Sequence, residues 1–330
     1  MRETVAILTL NHIGDVLFTE PAIAALRAGH PRARLVVITS PEGQAVLANH
    51  PAIDDLWVRE RTLTGWWQLV RRLRKAAPCL VVSFSPSSFG LALAAFLSGA
   101  PERLGFSVRP LQQRLFTTAG PFQPERHIAD DYLALAEMAK GKGERRIPHL
   151  FLTDDEREQA YQTLRALGWD GTTPLLGCHP FSSVAKKEWG DDNFAKLLTW
   201  ARERWSFCPI IFGSPAEQSR AERLAAQVQG ISAAGRLSLR AFIAAASWCS
   251  AFVGGDSGPV HIAAALGIPT LALYGPTDPQ RTGPLGERVV VLRSPTGMMH
   301  DLALATVQEI FFTHLYNRRV IGGAGTLLGS

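Results

Sequence analysis

The feature that most constrains the fold is an alternation of short aliphatic runs with longer segments of helical spacing. In the first half the runs are VAILTL, RLVVIT, DDLWV and CLVVSF, and segments such as EPAIAALRAGH lie between them. This alternation predicts a parallel sheet with helices on both faces, because parallel strands need long crossover connections. The pattern starts again in the second half with PLLGCHP, CPIIFG, SAFVGG and TLALYG. We therefore expect an α/β chain of two doubly wound, Rossmann-like domains.

Turn-forming and polar stretches suggest where these domains end. The segment GKGERRIPH follows a predicted helix, IADDYLALAEMAK, and has the composition of an approach to a domain boundary. We expect an N-terminal domain over 1–165 and a C-terminal domain over 166–300. Residues 301–330 then form a terminal helix, LATVQEIFFTHLYNRR, followed by a loose tail. The Arg- and Pro-rich stretch from Pro101 to His127 is expected to be a loop.

Composition excludes several classes of protein. A chain of 330 residues that is 46% hydrophobic and 19% charged can bury a sizeable core, which excludes a disordered chain. The longest apolar run, FGLALAAFL, is far short of the roughly 20 residues that a membrane-spanning helix needs. The first residues lack the pattern of a leader peptide, so a soluble, cytoplasmic protein is expected. Four cysteines lie in apolar runs without zinc-type spacing and are interpreted as reduced core residues: Cys79, Cys178, Cys208 and Cys249.

The formal net charge of +5 favours an anionic partner, which leaves nucleic acid, anionic lipid and phosphorylated sugar open. The loops after the strands indicate which chemistry to expect, because ligands of open α/β sheets gather at the carboxyl ends of the strands.

One such loop is GGDSGP, between a strand and a small-residue helix. Asp256 or Ser257 can cap this helix, Pro259 suits its first turn, and its backbone N–H groups can bind a phosphate or a sugar hydroxyl. An equally plain interpretation is a capped helix in which His261 has only a structural role. The following YGPTDP is a turn when taken alone.

A second loop, HPFSSVAKKEW, places Ser182 and Ser183 ahead of Lys186 and Lys187. Hydroxyls beside an ammonium suit the oxygens of a diphosphate, although the loop lacks the Walker pattern. The alternative is a solvated surface loop.

A third loop, NHIGDV, follows the first strand. Gly14 permits a tight turn, and Asp15 then lies at the carboxyl edge of the sheet, where a carboxylate can act as a general base toward a hydroxyl. The alternative is that Asp15 only caps the next helix. Pro21 is expected to kink that helix or to delay its start.

These motifs together resemble a known family. HIGDVLFTEPAIAALR, FSSVAKKEW and the D-S-G-x-x-H-x-A-A-A segment followed by YGPTDP are similar to glycosyltransferase family 9, the ADP-heptose lipopolysaccharide heptosyltransferases. The resemblance spans nearly the whole chain, and the D-S-G segment is its most specific part. It implies the GT-B architecture, with two Rossmann-like domains facing across a cleft. It also implies that the acceptor binds the N-terminal half, the nucleotide sugar binds the C-terminal half, and the terminal helix returns to the first domain.

The resemblance also implies roles for individual residues. Asp15 matches the proposed base, which deprotonates the acceptor hydroxyl as it attacks the anomeric carbon with inversion. Lys187, in register through the following EW, matches the catalytic and diphosphate-binding lysine, and Glu217 matches an acidic residue that bonds the nucleotide ribose. The remaining matches hold the diphosphate or the transferred sugar: Ser182, Ser183, Asp256, Ser257, Gly258 and His261.

General physics agrees with these roles. The leaving nucleoside diphosphate gains negative charge, so Lys187 and the helix start at Gly258 would stabilise the transition state more than the ground state. We therefore expect no metal and no cofactor, and the sequence contains no D-x-D carboxylate pair. Many relatives carry an Asp and a Gln after the fourth strand, where this chain has SFSPSS, which leaves the acceptor open. Arg59 and Arg61 are candidates to meet an anionic acceptor.

The expectation is thus a cytoplasmic enzyme, peripheral at the inner leaflet of the inner membrane. It would move L-glycero-D-manno-heptose from an ADP donor to the inner core of lipopolysaccharide, an anionic lipid-linked oligosaccharide. A same-fold transferase with another nucleotide sugar or glycolipid acceptor is the main alternative. A two-lobed binding protein is disfavoured by the missing leader. Nucleic acid is not expected as a partner, because the basic residues are spread along the chain.

Overall fold

The computed structural model describes residues 2–106, 108–120 and 122–316, with side chains as far as residue 314. The chain divides into two compact units. The first comprises Met1–Phe151 with Gln280–Thr282, and the second comprises Leu152–Pro279 with Gly283–Ser330.

The first unit is a six-stranded parallel sheet flanked by helices. Its strands are β1 (Thr4–Leu8), β2 (Arg34–Thr39), β3 (Asp55–Val58), β4 (Leu80–Ser83), β5 (Glu102–Phe106) and β6 (Thr118–Gly120). Its helices are α1 (Ile13–Gly29), α2 (Pro41–Leu47), α3 (Leu63–Ala76), α4 (Phe89–Leu97), α5 (Pro110–Gln113) and α6 (Ile128–Met138). The strand order is β3-β2-β1-β4-β5-β6, which is the doubly wound Rossmann order.

The second unit repeats this topology. Its strands are β7 (Leu175–His179), β8 (Cys208–Ile211), β9 (Ile231–Ser232), β10 (Cys249–Gly255), β11 (Thr270–Tyr274) and β12 (Val289–Arg293), in the order β12-β11-β10-β7-β8-β9. Its helices are α7 (Asp154–Ala166), α8 (Asp191–Trp205), α9 (Gln218–Gln227), α10 (Leu239–Ala246), α11 (Gly258–Ala265) and α13 (Leu304–Ile310). The short α12 (Pro279–Thr282) falls where the chain passes between the units. The predicted pair of Rossmann-like sheets is confirmed.

Close packing of α1 on α6 explains one glycine of the first unit. A Cβ atom on Gly29 would lie 1.9 Å from the backbone oxygen of Lys140, so only glycine lets the end of α1 approach the chain after α6. The helix itself begins at Ile13 and runs past Pro21 to Gly29. The expectation that Pro21 delays its start was therefore wrong.

The segment expected to be a loop contains secondary structure. Residues 101–127 include β5, α5 and β6, of which the strands are only five and three residues long. The ring of Phe116 packs on Gly105 so closely that a Cβ atom there would lie 2.2 Å from it. Such short strands carry too few residues for a period to be visible, and their burial depends on contacts distant in sequence.

The boundary between the units differs from the expected one at 165. Helix α7 lies wholly in the second unit, where Glu156 forms a two-point ion pair with Arg240, both contacts being 2.7 Å. The Trp248 indole N–H donates to the backbone oxygen of Arg157 at 3.0 Å. These contacts bind α7 to α10 and its C-terminal end, so the division falls just before α7.

The terminal helix also packs differently from the expectation. Val307 and Phe311 are fully buried in the hydrophobic core of the second unit, and Phe311 stacks on Trp205 with ring centroids 6.0 Å apart. The indole N–H of Trp189 donates to the backbone oxygen of Leu302 at 2.8 Å, just before this helix. The described part of the terminal helix thus belongs to the second unit and not the first. The predicted loose tail, 320–330, lies outside the described residues.

Candidate functional site

Two adjacent strand ends in the second unit gather polar side chains. Strand β10 pairs in parallel with β7, so that Gly254 lies beside His179, and the loops after both strands leave the same edge of the sheet. Lys187 follows β7 in a single 3₁₀ turn, Ala185–Lys187, and Asp256 follows β10 directly. The Lys187 ammonium contacts the Asp256 carboxylate at 2.7 Å. The sequence prediction that Lys187 and Asp256 share one site is consistent with this contact.

A buried tyrosine also holds Asp256. Tyr274 ends the neighbouring strand β11 and is fully buried. Burial raises the pKa of its phenol, and the negative charge of Asp256 together with a hydrogen bond to that carboxylate raises it further. The phenol therefore stays protonated and donates to Asp256. The Asp256 carboxylate is thus shared between Tyr274 and Lys187. The Lys187 ammonium has more N–H donors than its contact with Asp256 uses, so it keeps further protons to donate.

The helix start at Ser257 is not closed by a side chain. Ser257 occupies the N-cap position of α11, but its hydroxyl makes no cap hydrogen bond. Instead the hydroxyl lies 3.1 Å from the Nδ1 atom of His179 and 3.1 Å from the backbone oxygen of Gly255. An N-cap side chain usually accepts from the second or third residue of the helix, but here Pro259 has no N–H and the N–H of Val260 donates to the backbone oxygen of Ser257 at 3.3 Å. The N–H of Gly258, the first residue of α11, is left available to an anion. The alternative interpretation, a helix closed by a side-chain cap, does not agree with the missing cap hydrogen bond at Ser257.

His179 is a residue that the sequence reasoning missed. Burial lowers the pKa of its imidazole to about 4, although the charges of Glu217 and Glu188 act in the opposite direction. The ring is therefore neutral near pH 7 and can hold the Ser257 hydroxyl by hydrogen bonding without carrying charge. It is the first residue of the predicted HPFSSVAKKEW loop and the last residue of the buried strand β7, and this place at the strand end is the signal that could have identified it.

The predicted serines occupy different environments. The backbone N–H of Ser182 donates to the Glu188 carboxylate at 2.9 Å, and its hydroxyl accepts from the N–H of Val184 at 3.2 Å. Glu188 is in turn held by Arg220 through two bonds of 3.0 and 2.7 Å. The Arg220–Glu188 ion pair therefore holds the loop that contains Ser182. Ser183 is exposed, and so is Lys186.

Glu217 and His261 are two further predicted donor residues, and each lies in an element of its own. The Glu217 carboxylate accepts from the backbone N–H of Ser214 at 2.6 Å in a capping box, which uses one of its oxygens locally. His261 is buried within α11, with 8% of its surface exposed. The structure thus brings Lys187, Asp256, Ser257 and Gly258 together at one edge. His261 lies in the same helix as Gly258, and the charge of Glu217 acts on His179.

In the first unit, Asp15 lies in the first turn of α1, after β1. The N-cap residue of this helix is His12, and Asp15 is no cap. Across the described ranges, no group donates a hydrogen bond to its carboxylate. Burial raises the pKa of Asp15, and the nearby His12 offsets this only in part. A carboxylate that is partly desolvated and unbonded is a stronger base than an exposed aspartate, as general-base catalysis requires.

A tyrosine that the sequence analysis did not single out lies near this carboxylate. Tyr132 of α6 is fully buried, and its hydroxyl has no hydrogen-bond partner among the described residues. Burial raises its pKa well above the ordinary value, and the charge of Asp15 adds to the effect. The phenol of Tyr132 therefore stays neutral near the Asp15 carboxylate.

Arg59 and Arg61 prove to be unequal candidates. Arg59 follows β3, and its guanidinium bonds the side-chain oxygen of Asn11, in the loop that leads to Asp15. Its Nε atom is buried without a partner among the described residues. Arg61 is exposed, and among the residues that the structure describes it contacts Glu42 at 3.5 Å. Arg59 is thus placed beside the loop of the candidate base, whereas Arg61 lies on the surface.

The described residues were also compared with the requirements of a metal site and of a membrane-spanning helix. Within the described part of the chain, no cluster of three or more His, Cys, Asp or Glu side chains could hold a metal ion. The same residues include no helix that is long and apolar enough to cross a membrane. The four cysteines are unpaired, with Cys178 and Cys249 buried and the other two partly exposed.

Two Rossmann-like sheets, with a candidate base after β1 and an anion-attracting helix start after β10, define the class as a GT-B-type α/β protein. The sequence model of "Glycosyltransferase family 9 (heptosyltransferase)" matches residues 66–309, which is most of the chain. The chain therefore belongs to glycosyltransferase family 9.

Individual relatives agree with this assignment. The chain is 27% identical over 320 residues to "Lipopolysaccharide heptosyltransferase 2" of Escherichia coli K12, with 86% of each protein covered. A family 9 glycosyltransferase structure from Veillonella parvula matches with a TM-score of 0.86 and 24% identity, covering 96% of this chain and 97% of that one. The structure of E. coli ADP-heptose lps heptosyltransferase II matches with a TM-score of 0.83 and 22% identity, covering 98% and 100%. These structural likenesses show that the fold is shared.

Proposed function

We propose that this glycosyltransferase moves heptose from ADP-L-glycero-D-manno-heptose to the inner core of lipopolysaccharide. The observation that carries the proposal is the Lys187–Asp256 pair beside the uncapped start of α11. The Lys187 ammonium and the backbone N–H of Gly258 at one edge suit a diphosphate. The donor and the acceptor class come from the names of the relatives, and the chain covers most of the length of those proteins.

The proposed reaction is a single displacement with inversion. Asp15 removes the proton of the acceptor hydroxyl, the hydroxyl oxygen forms a bond to the anomeric carbon of heptose, and the bond from that carbon to the diphosphate breaks. ADP leaves with the electrons of the broken bond. Lys187 and the N–H of Gly258 stabilise the charge that develops on the diphosphate, so the reaction needs no metal.

The donor residues divide this work. Asp256, held by Tyr274, orients the Lys187 ammonium, and His179 fixes the direction of the Ser257 hydroxyl toward the donor. Ser182 and Ser183 add hydroxyls to the same loop, while Glu217 binds the ribose and His261 supports the helix that carries the N–H groups. Arg59 meets the anionic acceptor, with Arg61 in a weaker outer role.

The proposal is tested by measuring ADP release from ADP-heptose, ADP-glucose and UDP-glucose with a deacylated, Kdo-bearing core acceptor. We expect release only with the heptose donor and only when the acceptor is present. Release from another nucleotide sugar at a higher rate would support the alternative, a same-fold transferase with a different donor. Release without any acceptor dependence would contradict a transfer reaction altogether.

The enzyme is also proposed to work in the cytoplasm at the inner leaflet of the inner membrane, because its acceptor is lipid-linked. Cell fractionation of the native protein tests this location. Recovery with the inner-membrane fraction at low salt, and release at high salt, is the expected result for a peripheral protein.

A further inference from the structure

The outward face of two neighbouring helices in the first unit combines exposed apolar side chains with positive charge. On α3, Leu63 is 84% exposed and Trp67 is 56% exposed. On α4, Phe89 and Phe96 are 41% and 45% exposed. The cations at the end of α3 are also exposed, and together these residues are named here the α3–α4 patch: Leu63, Trp67, Arg71, Arg74, Lys75, Phe89 and Phe96.

Helical spacing places these side chains on common faces. Leu63, Trp67, Arg71 and Arg74 recur at intervals of four, four and three residues, so they lie along one side of α3. Phe89 and Phe96 are seven residues apart and lie on one side of α4. The inward sides of both helices pack in the core of the first unit through Leu69, Leu73 and Leu91. The core of the first unit is therefore filled by other residues of these helices, and the exposed apolar side chains are not part of it.

Two hydrogen bonds hold the helices side by side. The Trp66 indole N–H donates to the backbone oxygen of Gly90 at 2.8 Å, near the start of both helices. The Nε atom of Arg74 donates to the backbone oxygen of Leu97 at 2.8 Å, near the end of both. The two helices thus lie side by side and run in the same direction.

The charge of this region is one-sided. From residue 61 to residue 101 the chain has five Lys or Arg residues and no Asp or Glu. A second copy of the same surface would meet its own positive charge, which opposes self-association. An anionic lipid surface supplies both complements, because headgroups pair with Arg and Lys while Trp and aliphatic side chains enter the interfacial layer.

We propose that the α3–α4 patch docks this enzyme on an anionic phospholipid bilayer. This inference rests on the proposed function for its purpose, which is to bring the first unit to a lipid-linked acceptor. Membrane docking and heptosyl transfer can be refuted separately, because vesicle binding and turnover of a deacylated acceptor are measured independently. None of the patch residues belongs to the proposed catalytic or binding machinery.

The test measures how the full-length protein partitions onto sedimented vesicles of phosphatidylethanolamine with phosphatidylglycerol, compared with vesicles of phosphatidylcholine. We expect binding to the anionic vesicles, weaker binding at high salt, and little binding to neutral vesicles. The double variant L63S/W67S should lose about tenfold or more in partition, because it removes two side chains that would leave water. The variant R71Q/K75Q should also lose on the order of tenfold, and only on anionic vesicles.

Matched variants in the second unit provide the controls. Met298 is exposed to 44%, and M298S removes an exposed apolar side chain there. Lys196 and Arg223 are exposed, and K196Q/R223Q removes two charges. Both controls should bind vesicles like the wild type, and all variants should retain turnover of the soluble, deacylated acceptor, which shows that they fold.

Three results would overturn the proposal. The wild type could fail to bind anionic vesicles at low salt, or the patch variants could bind them as well as the controls do. The patch variants could also lose a protein or nucleic-acid interaction while their vesicle binding stays unchanged, which would assign the patch to another partner.

Discussion

At the scale of single residues, Asp15 illustrates how burial changes both stability and chemistry. Its carboxylate is desolvated and receives no hydrogen bond from the described residues, which raises its pKa. An Asp with a raised folded-state pKa binds its proton more tightly when folded, so the ionised form destabilises the fold as pH rises through that range. D15N should therefore unfold at a higher temperature than the wild type at pH 7, and the same change should slow turnover by about 10² to 10⁴. Scanning calorimetry and steady-state kinetics measure the two effects.

The alternative role for Asp15 predicts the opposite sign. A helix cap stabilises, so D15A, which removes a cap that asparagine would keep, would lower the melting temperature and leave turnover intact. The pH profile adds a second readout, since a base with a raised pKa loses activity on acidification at a higher pH than an ordinary Asp at 3.8.

Two adjacent lysines offer an internal comparison. Lys187 bonds Asp256 at 2.7 Å, whereas Lys186 is exposed. K187A should weaken donor binding and slow transfer by about 10² to 10³, the range for a lost electrostatic contact to the transition state. K186A should change either quantity by less than about tenfold. Equal effects in ADP titrations and in kcat would mean that the chosen register of the lysines is incorrect.

His179 gives a pH-dependent prediction. Its folded-state pKa lies near 4, below the ordinary value of 6.5. A histidine that resists protonation when folded removes stability as pH falls from about 6.5 toward 4, because the unfolded chain binds the proton first. In H179N the free energy of unfolding should therefore fall less steeply than in the wild type as pH decreases from about 6.5 toward 4. Urea unfolding at several pH values measures it, and parallel curves for both proteins would contradict the assignment of a neutral His179.

At the scale of elements, the terminal helix tests the packing of the second unit. Phe311 is fully buried and stacks on Trp205, while its neighbour Phe312 is 38% exposed. F311A should lower the free energy of unfolding by about 3 to 5 kcal/mol, as for other buried aromatic deletions. F312A should cost about 1 kcal/mol or less. Equal losses in chemical denaturation would place the helix elsewhere than the core of the second unit.

Elements with strong local signals were predictable from the sequence, and those defined by distant contacts were not. The buried strands β1, β2, β7 and β11 read as aliphatic runs because both faces of a parallel strand are covered. By contrast, β6 has three residues and β9 has two, which is too short for any period. The course of the terminal helix was taken from the family resemblance, and the local pattern of LATVQEIFF cannot say which core receives it.

Some residues of the candidate site were likewise predictable from the sequence, and others were not. Asp256 follows β10 directly, and Asp15 and Lys187 lie in the segments that leave β1 and β7, so topology alone places them near the carboxyl edges of the sheets. Tyr274 and His179 are part of strands, where sequence patterns treat them as core residues. Their roles depend on hydrogen bonds to Asp256 and Ser257, which only the three-dimensional arrangement reveals.

At the scale of the whole molecule, the account makes a prediction about metals. The charge of the leaving diphosphate is proposed to be stabilised by Lys187 and by the N–H of Gly258, so EDTA should leave the turnover rate unchanged. Added Mg²⁺ should raise it by less than about twofold. Restoration of a lost activity by a divalent cation after dialysis against EDTA would show that these groups do not suffice.

The central claim is the transfer of one heptose to a core acceptor, and the mass of the acceptor tests it most directly. The purified chain is incubated with ADP-L-glycero-D-manno-heptose, a deacylated Kdo-bearing acceptor and EDTA, and the acceptor is analysed by mass spectrometry. The account predicts a gain of one heptose residue in the wild type and almost none in D15N. An acceptor of unchanged mass, with a protein that still binds ADP and unfolds cooperatively, would contradict heptosyl transfer to this class of acceptor.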